Sequence, residues 1–222
     1  GDRDFLFYRH PSADMLFSPD EVDQALIQNA QIFHFGSISL ISEPSRSATR
    51  KALQIARQAG LLVTYDPNLR LNLWPDESAA RQGILEFWDQ AHVIKISREE
   101  LVFLSGEEDL EVGVSKLWHS GLVLLVVTDG RAGCWYFTSR FNGLVASFSV
   151  EAVDTTGAGD GFVAGLLKGL IDHPNAWEDE SILREICRYA NAVGALTTTQ
   201  RGAIPALPDA HQVADFLQAH GV

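Results

Sequence analysis

Short apolar runs alternate with segments of helical periodicity along most of the sequence. Residues 122–127 form a continuous apolar run, which is typical of a strand buried on both faces of a parallel sheet. The alternation predicts an α/β fold with a mostly parallel sheet, helices on both faces and ligands at the carboxyl ends of the strands. The predicted strands are residues 31–40, 61–65, 92–96, 122–127, 134–138 and 144–150, and the predicted helices are residues 48–59, 77–88, 98–104, 162–170, 180–196 and 209–220.

Bulk composition argues against several classes of function. The 222 residues suit one domain, and the formal net charge of −12 opposes binding to nucleic acid or to anionic membrane surfaces. No apolar run reaches the length of a membrane span. Cys134 and Cys187 lie far apart in the sequence and match no metal-ligand spacing, so a reduced, cytoplasmic compartment is the economical interpretation. A disulfide between them stays open.

Residues 154–160 read Asp-Thr-Thr-Gly-Ala-Gly-Asp and stand between a predicted strand and a predicted helix. Gly157, Ala158 and Gly159 present little or no side chain, so their backbone N–H groups can face an anion at the helix N-terminus. Asp160 then lies in the first helical turn, where a carboxylate can take a proton from a hydroxyl while the N–H groups stabilise a transferring phosphoryl group. The motif predicts phosphoryl transfer to an alcohol; the alternative is a Gly-rich turn capped by an acid.

This motif resembles the second signature of the PfkB (ribokinase-like) carbohydrate kinase family, D-T-x-G-A-G-D, at every specified position. Two further segments are similar to the fructokinase branch: DPNLRLNLWP at residues 66–75 and FYRHPSAD at residues 7–14. The resemblance implies a ribokinase-like fold and implies that Arg9 and Arg70 line the sugar and phosphate cleft. Guanidinium groups suit oxygen-rich ligands, whereas a solvated surface arginine is the alternative at both positions.

Residues 95–100, KISREE, occupy the place of the family's N-x-x-E motif. The resemblance implies that Glu100 helps to hold Mg²⁺ through water and that Ser97, in place of the usual asparagine, belongs to the ATP site. A hydroxyl can replace one amide hydrogen bond but not two, so we expect the change to affect phosphate geometry rather than the reaction. The alternative is a helix that Ser97 caps, with Glu100 as its capping-box partner.

Residues 128–133 resemble the family's T-x-G-x-x-G nucleotide loop, in which glycines let the backbone approach ATP. The implied ATP contacts are Thr128, Gly130 and Gly133, although a plain hairpin turn would also explain the segment. The resemblance of the later sequence to the family's last segment implies that Asn191 lies by the adenine.

Asp154 and Thr156 match the family's positions beside a monovalent cation, for which K⁺ is the candidate. The resemblance thus implies Mg²⁺ and K⁺ as cofactors and ATP as co-substrate. The expected partners are a small-molecule sugar and ATP, with no nucleic acid and no membrane; a homodimer stays open for the complete protein.

The reaction that the resemblance implies is transfer of the ATP γ-phosphate to the 6-hydroxyl of D-fructose, with Asp160 as general base. The alternatives are 2-keto-3-deoxygluconate kinase or ribokinase of the same family, and a non-catalytic PfkB-like regulatory module. Family members begin with a strand that carries a sugar-binding aspartate, then a Gly-Gly motif and the strands of a lid, and nothing before Phe5 matches these features. We therefore expect residues 1–222 to be an N-terminally incomplete kinase domain that does not phosphorylate fructose on its own.

Overall fold

Six β-strands and nine α-helices are present in residues 11–221, the part of the chain that the computed structural model describes. Arg9 and its neighbours Phe7 and Tyr8 lie outside the described residues. Contacts divide the chain into two units: one runs to Ile94 and includes Glu99–Leu122, and the other comprises Lys95–Arg98 and the chain from Val123 onward. No helix within this described part is long and apolar enough to cross a membrane.

The first unit is built on parallel strands. Strand β1 (Ile32–Gly36) pairs in parallel with β2 (Leu62–Asp66), which pairs in parallel with the beginning of β3 (Val93–Ser97). Phe35 and Tyr65 are partners across β1 and β2, and their rings stack with centroids 4.2 Å apart in the core. Because these strands are parallel, their carboxyl ends lie at one edge of the sheet, where loops carry ligand-binding residues in α/β folds.

Six helices cover or connect the strands of the first unit: α1 (Ala13–Leu16), α2 (Gln24–Gln28), α3 (Ser45–Gln58), α4 (Glu77–Leu85), α5 (Arg98–Ser105) and α6 (Leu110–Leu117). Asp76 and Asp109 cap α4 and α6 by accepting hydrogen bonds from backbone N–H groups in the first turn. Helix α3 packs Ala48, Ala52 and Ile55 into a core cluster, and Gly60, with φ +73°, follows its end.

The second unit contains the end of β3, strands β4 (Leu124–Thr128), β5 (Cys134–Phe137) and β6 (Asn142–Val145), and helices α7 (Ala158–Asp172), α8 (Glu180–Thr197) and α9 (Ala210–Ala219). Strands β4, β5 and β6 pair antiparallel in sequence order, so the sheet, whose order is β1 to β6, is mixed.

Helices α7 and α8 approach closely because glycines face α8 at every fourth position. A Cβ on Gly161 would lie 2.6 Å from the Thr197 hydroxyl, and one on Gly165 would lie 2.8 Å from the Ala190 Cα. Gly169 meets Ile186 at 2.6 Å in the same way. The glycines thus fix the position of α7, and with it the position of its N-terminal turn.

Several predicted boundaries were wrong. The expected strand at residues 144–150 is the shorter β6, and residues 146–150 have no regular structure although their alternating sequence has strand periodicity. Strand β5 begins at Cys134, which is the register partner of Val145, so residues 146–150 extend past the end of β5 and have no strand to pair with. The predicted strand at 31–40 ends at Gly36, after which Ile38–Leu40 forms a 3₁₀ turn. Helices α1, α2 and α6 were not predicted.

Cys134 and Cys187, far apart in sequence, are neighbours in the second unit. Both are buried free thiols, and the Cys134 side chain lies near enough to that of Cys187 to affect its pKa. The interaction of the neutral Cys187 thiol with Cys134, together with burial, holds the pKa of Cys187 well above its usual value of 9.0. The structure thus presents the pair as packed thiols rather than a disulfide.

Candidate active site

The N-terminus of α7 is formed by the residues of the Gly-Ala-Gly-Asp motif. Gly157 is the N-cap and has φ +81°, a left-handed conformation that favours glycine. A Cβ there would also meet Ala203 at 3.0 Å. Ala158 and Gly159 begin the helix, and Asp160 lies exposed in its first turn. Backbone N–H groups and the helix dipole therefore face the same side as an accessible carboxylate.

The loop before α7 is tied to the end of α8. The Asp154 carboxylate accepts hydrogen bonds from the backbone N–H of Thr156, at 2.7 Å, and of Gly202, at 3.1 Å. The Thr198 carbonyl accepts from the N–H groups of Val153 and Asp154, at 2.8 and 3.0 Å. Three of these bonds join the loop before α7 to the segment after α8, and the bond from Thr156 closes a turn within the loop, so the chain that leads into α7 is held in place.

A cavity of about 420 Å³ lies within the second unit, next to this turn. Its walls come from the β4–β5 hairpin, the segment after β6, the start of α7 and one face of α8. Its lining includes Thr128, Gly130, Arg131, Gly133, Phe148, Ala152, Thr155, Ala158, Gly159, Asn191, Gly194 and Thr198. The cavity contains carbonyl, hydroxyl and aromatic surface as well as two of the residues at the helix N-terminus. It has the dimensions and composition of a small-molecule site.

Asn191 shapes the cavity wall through its side-chain amide. It is 5% exposed, and its Nδ2 donates to the Val145 carbonyl at 3.0 Å and to the Ala146 carbonyl at 3.3 Å. Gly133 supports the same wall, since a Cβ there would lie 2.1 Å from the Val145 carbonyl. Residues 146–150 are thereby held against the cavity without belonging to a strand.

The end of β3 contributes a backbone carbonyl and a lysine side chain to the second unit. The Thr128 hydroxyl donates to the Ile96 carbonyl at 3.3 Å, which joins the ends of β4 and β3 next to Ser97. Lys95, one residue before Ile96, is buried, and its Nζ lies 3.5 Å from the position of a Cβ on Gly159. A lysine ammonium therefore stands against the first turn of α7.

Glu100 and Arg70 belong to the first unit, where both contact Leu69. The Glu100 carboxylate is 8% exposed and accepts from the Leu69 N–H at 2.6 Å, and Arg70 donates from Nη1 to the Leu69 carbonyl at 2.9 Å. Asp66 accepts from the N–H of Asn68, whose φ of +46° turns the chain after β2. Glu100 thus fixes the loop that carries Arg70.

A model of the pfkB family of carbohydrate kinases matches residues 1–210. The chain belongs to this family. It is 55% identical over 222 residues to "Probable fructokinase-4" of Arabidopsis thaliana, in an alignment that covers 99% of this chain and 68% of the plant protein.

Solved pfkB-family structures have the same fold. Fructokinase from Xylella fastidiosa with bound ATP is 32% identical with a TM-score of 0.90, over 100% of this chain and 71% of that chain. A fructokinase double mutant from Vibrio cholerae O395, bound to fructose, ADP and potassium ion, is 34% identical with a TM-score of 0.85, over 93% and 66% of the two chains. The expected α/β, ribokinase-like fold is confirmed. Residues 1–222 span about two thirds of the length of these relatives.

The oxygen ligands that this chain offers fit the two expected cations, Mg²⁺ and K⁺. Each carboxylate oxygen has two lone pairs, so the hydrogen bond from Leu69 leaves Glu100 with capacity for a metal-bound water. The Asp154 loop offers carboxylate and carbonyl oxygens, the ligand type that suits hard cations. Among residues 11–221, no three His, Cys, Asp or Glu side chains gather as a metal cluster, and a cation held through water does not require one.

Most of the expected site residues lie in the second unit. The cavity lining contains the expected ATP contacts Thr128, Gly130, Gly133 and Asn191, and the segment 128–133 is at once a hairpin turn and part of that lining. Lys95 was missed by sequence reasoning. A charged residue inside an otherwise apolar strand, two residues before the N-x-x-E-like motif, was the signal that could have identified it.

Proposed function

We propose that the protein is an ATP-dependent fructokinase that transfers the γ-phosphate of ATP to the 6-hydroxyl of D-fructose. The observation that carries the proposal is the first turn of α7, which presents Asp160 and the N-terminal N–H groups beside a cavity lined by Thr128, Gly133 and Asn191. The similarity to plant and bacterial fructokinases supports the choice of sugar.

The cavity residues bind the nucleotide in this proposal. Phe148 and Ala152 offer apolar surface for the adenine, while the glycines of the β4–β5 hairpin let the backbone approach the phosphates. Asn191 keeps the wall in place through the Val145 carbonyl. The N–H groups of residues 157–160 then receive the γ-phosphate and stabilise the charge on its oxygens during transfer.

Asp160 acts as general base. The hydroxyl oxygen of the sugar forms a bond to the γ-phosphorus, the bond from that phosphorus to the bridging oxygen of ADP breaks, and the hydroxyl proton passes to the Asp160 carboxylate. On the acceptor side we assign Arg70 to sugar or phosphate oxygens, and Arg9 to the same role on sequence grounds alone.

Two cations complete the proposal. Mg²⁺ supplies charge neutralisation to the ATP phosphates when bound, and Glu100 would hold it through water. Asp154 and Thr156 would border a K⁺ ion next to the loop that they already stabilise.

The test is a panel of sugars with ATP and Mg²⁺, using the full-length protein. Fructose-dependent ADP release, with fructose 6-phosphate identified by NMR, is the expected result. A preference for 2-keto-3-deoxygluconate or ribose would keep the phosphoryl-transfer chemistry and contradict the assigned acceptor. ATP binding without turnover on any sugar would contradict the proposal and favour a non-catalytic regulatory module.

A further inference from the structure

A cavity of about 370 Å³ lies in the first unit, between α3 and the chain that follows α4. Part of its lining is apolar and comes from Leu53 and Phe87, which are 2% and 3% exposed. It shares no lining residue with the cavity beside the first turn of α7. Its volume lies in the range of sites for small molecules, so it is a candidate for a second binding site.

The polar lining comes mainly from one face of α3. Arg50, Gln54 and Arg57 are spaced by four and three residues, and side chains at these spacings are neighbours on a helix surface. Seven residues of helix place the Cα atoms of Arg50 and Arg57 about 10 Å apart along the axis. This face therefore suits an extended ligand with different chemical groups at its two ends.

Arg57 is held in place without an ion-pair partner. Its Nη1 donates to the carbonyls of Asp89 and Gln90, at 3.2 and 3.1 Å, and no carboxylate of residues 11–221 forms an ion pair with it. The two bonds fix the guanidinium group, while the three N–H groups on Nε and Nη2 remain as donors. A fixed guanidinium group with unused donors suits a phosphate, because little side-chain freedom is lost on binding.

Arg50, seven residues earlier on the same face, is paired with a carboxylate. Its Nη2 donates to Glu86 at 2.7 Å, and its guanidinium group lies 5.4 Å from the centre of the Phe87 ring. Arg46 bonds to the second oxygen of the same carboxylate. Each of these oxygens keeps a lone pair, and Arg50 keeps most of its five donors. With the Gln54 amide, the pair can both donate to and accept from the hydroxyl groups of a ligand.

The charges in the lining favour an anion at Arg57. Two guanidinium groups face one carboxylate in this cavity, although the chain as a whole has a formal net charge of −12. The carboxylate, that of Glu86, already bonds to two arginines. Glu43 and Asp89, which are acids of the same region, do not line the cavity. An anion at Arg57 thus meets unused donors rather than an existing ion pair.

We propose that this cavity binds a small phosphorylated sugar or polyol. The Arg57 guanidinium group holds the phosphate, which carries about −1.5 to −2 charge at neutral pH and accepts from a fork of donors. Gln54 and the Arg50–Glu86 pair hold the hydroxyl groups of the ligand. The site uses none of the residues assigned to phosphoryl transfer, so its occupancy does not depend on the proposed function.

The test is calorimetry on the full-length protein, saturated with AMP-PNP and fructose to occupy the proposed active site. The probes are glucose 6-phosphate, inorganic phosphate and glucose. The variants are Arg57→Gln, Arg57→Lys and Gln54→Leu, and thermal unfolding shows whether each is folded. Arg81→Gln is the matched control, because Arg81 also lies over an aromatic ring, that of Phe103 at 4.9 Å, but does not line the cavity.

Wild type is expected to bind one equivalent of glucose 6-phosphate, to bind inorganic phosphate more weakly, and not to bind glucose. Arg57→Gln should weaken both phosphates about tenfold, because each loses a charge-assisted contact, and Arg57→Lys should recover part of the loss. Gln54→Leu should weaken glucose 6-phosphate about threefold or more while inorganic phosphate stays within about twofold. Arg81→Gln should change neither Kd.

Chemical modification supplies a test that needs no variant. Phenylglyoxal reacts with accessible arginines, and Arg57 is exposed. Glucose 6-phosphate should slow the modification of Arg57 severalfold and leave that of Arg81 unchanged, as measured by mass spectrometry of the two peptides.

Three results would overturn the proposal. The first is no binding of glucose 6-phosphate by the saturated wild-type protein. The second is binding that is equally tight in Arg57→Gln, or unprotected Arg57 in the modification experiment. The third is a Kd for glucose 6-phosphate no lower than that for inorganic phosphate, which would mean an adventitious ion only and no site for the sugar.

Discussion

The carboxylate of Asp154 accepts a hydrogen bond from the backbone N–H of Gly202, 3.1 Å away. This bond crosses from the segment before α7 to the segment after α8, two parts of the chain that meet only through tertiary folding. Together with the bond from the Thr156 N–H, it fixes the loop that leads into the first turn of α7.

Asp154→Ala should loosen this loop. Hydrogen bonds to a charged group contribute about 1.5–3 kcal/mol each, so we expect a fall of several kcal/mol at most in the free energy of unfolding and a clear rise in the Kd of ATP. The proposed stimulation of activity by K⁺ over Na⁺ should also disappear. Thermal and denaturant unfolding, calorimetry with ATP and assays in the two salts measure these effects. Asp172→Asn, at the other end of α7, is the control. An Asp154→Ala variant with the same free energy of unfolding and the same Kd of ATP as Asp172→Asn would contradict the assigned role of Asp154 in the loop.

Arg70→Ala should raise KM for fructose or lower kcat/KM for transfer. Loss of one charge-assisted contact should change KM or kcat/KM by about tenfold or more. Arg70→Lys should recover only part of the loss, because lysine supplies the charge without the planar fork of donors. Steady-state kinetics of both variants give KM for fructose and kcat/KM. Arg140→Ala, in the exposed hairpin turn, is the control. Unchanged kinetics in both Arg70 variants would place Arg70 outside the acceptor site.

The sequence predicted the sheet and most helices, because β-α alternation and apolar periodicity are local signals. It also placed the start of α7 correctly to within a few residues through Gly157 and Asp160. Local sequence patterns did not predict the tertiary contacts. Nothing local indicates that the Asn191 amide holds the Val145 carbonyl, or that Lys95 reaches Gly159. Periodicity also failed at residues 146–150, where the pattern of a strand has no partner strand.

The contact between Cys134 and Cys187 predicts chemically inert thiols. Both are buried, and the raised pKa of Cys187 keeps it in the unreactive thiol form at neutral pH. In the native protein, iodoacetamide should modify neither residue during a period in which it modifies both in guanidinium chloride. Mass spectrometry of the two cysteine-containing peptides measures the extent of alkylation. Rapid native labelling of either cysteine would show that the pair is accessible or apart.

The stability of the first unit should depend on pH through His92. Its Nδ1 accepts a hydrogen bond from the Val63 N–H at 3.1 Å, a role that only the neutral ring can fill. Burial lowers the pKa of His92 below its usual value of 6.5, and the charge of Arg57 adds to the effect; burial also lowers the pKa of His119. Because the folded state binds the proton less readily than the unfolded state, stability is complete above the unfolded pKa and falls as the pH drops below about 6.5.

His92→Asn tests this dependence, since the asparagine carbonyl can accept the same hydrogen bond but does not titrate. We expect the decline in the free energy of unfolding between pH 7.5 and 5.5 to become shallower in the variant, with His119 responsible for part of what remains. Chemical denaturation at several pH values provides the curves. Identical slopes in wild type and variant would show that His92 does not link folding to pH.

In the proposed reaction Asp160, in the first turn of α7, accepts the proton of the sugar hydroxyl. Asp160→Asn keeps the shape of the side chain but cannot act as a base at neutral pH. The decisive measurement is single-turnover phosphorylation of fructose by the full-length Asp160→Asn protein, with ATP affinity measured in parallel. We predict a loss of about 10²–10⁴-fold in the rate of transfer with the Kd of ATP nearly unchanged. A variant that transfers phosphate within about threefold of the wild-type rate, with chemistry limiting, would contradict the assignment of Asp160 as the base.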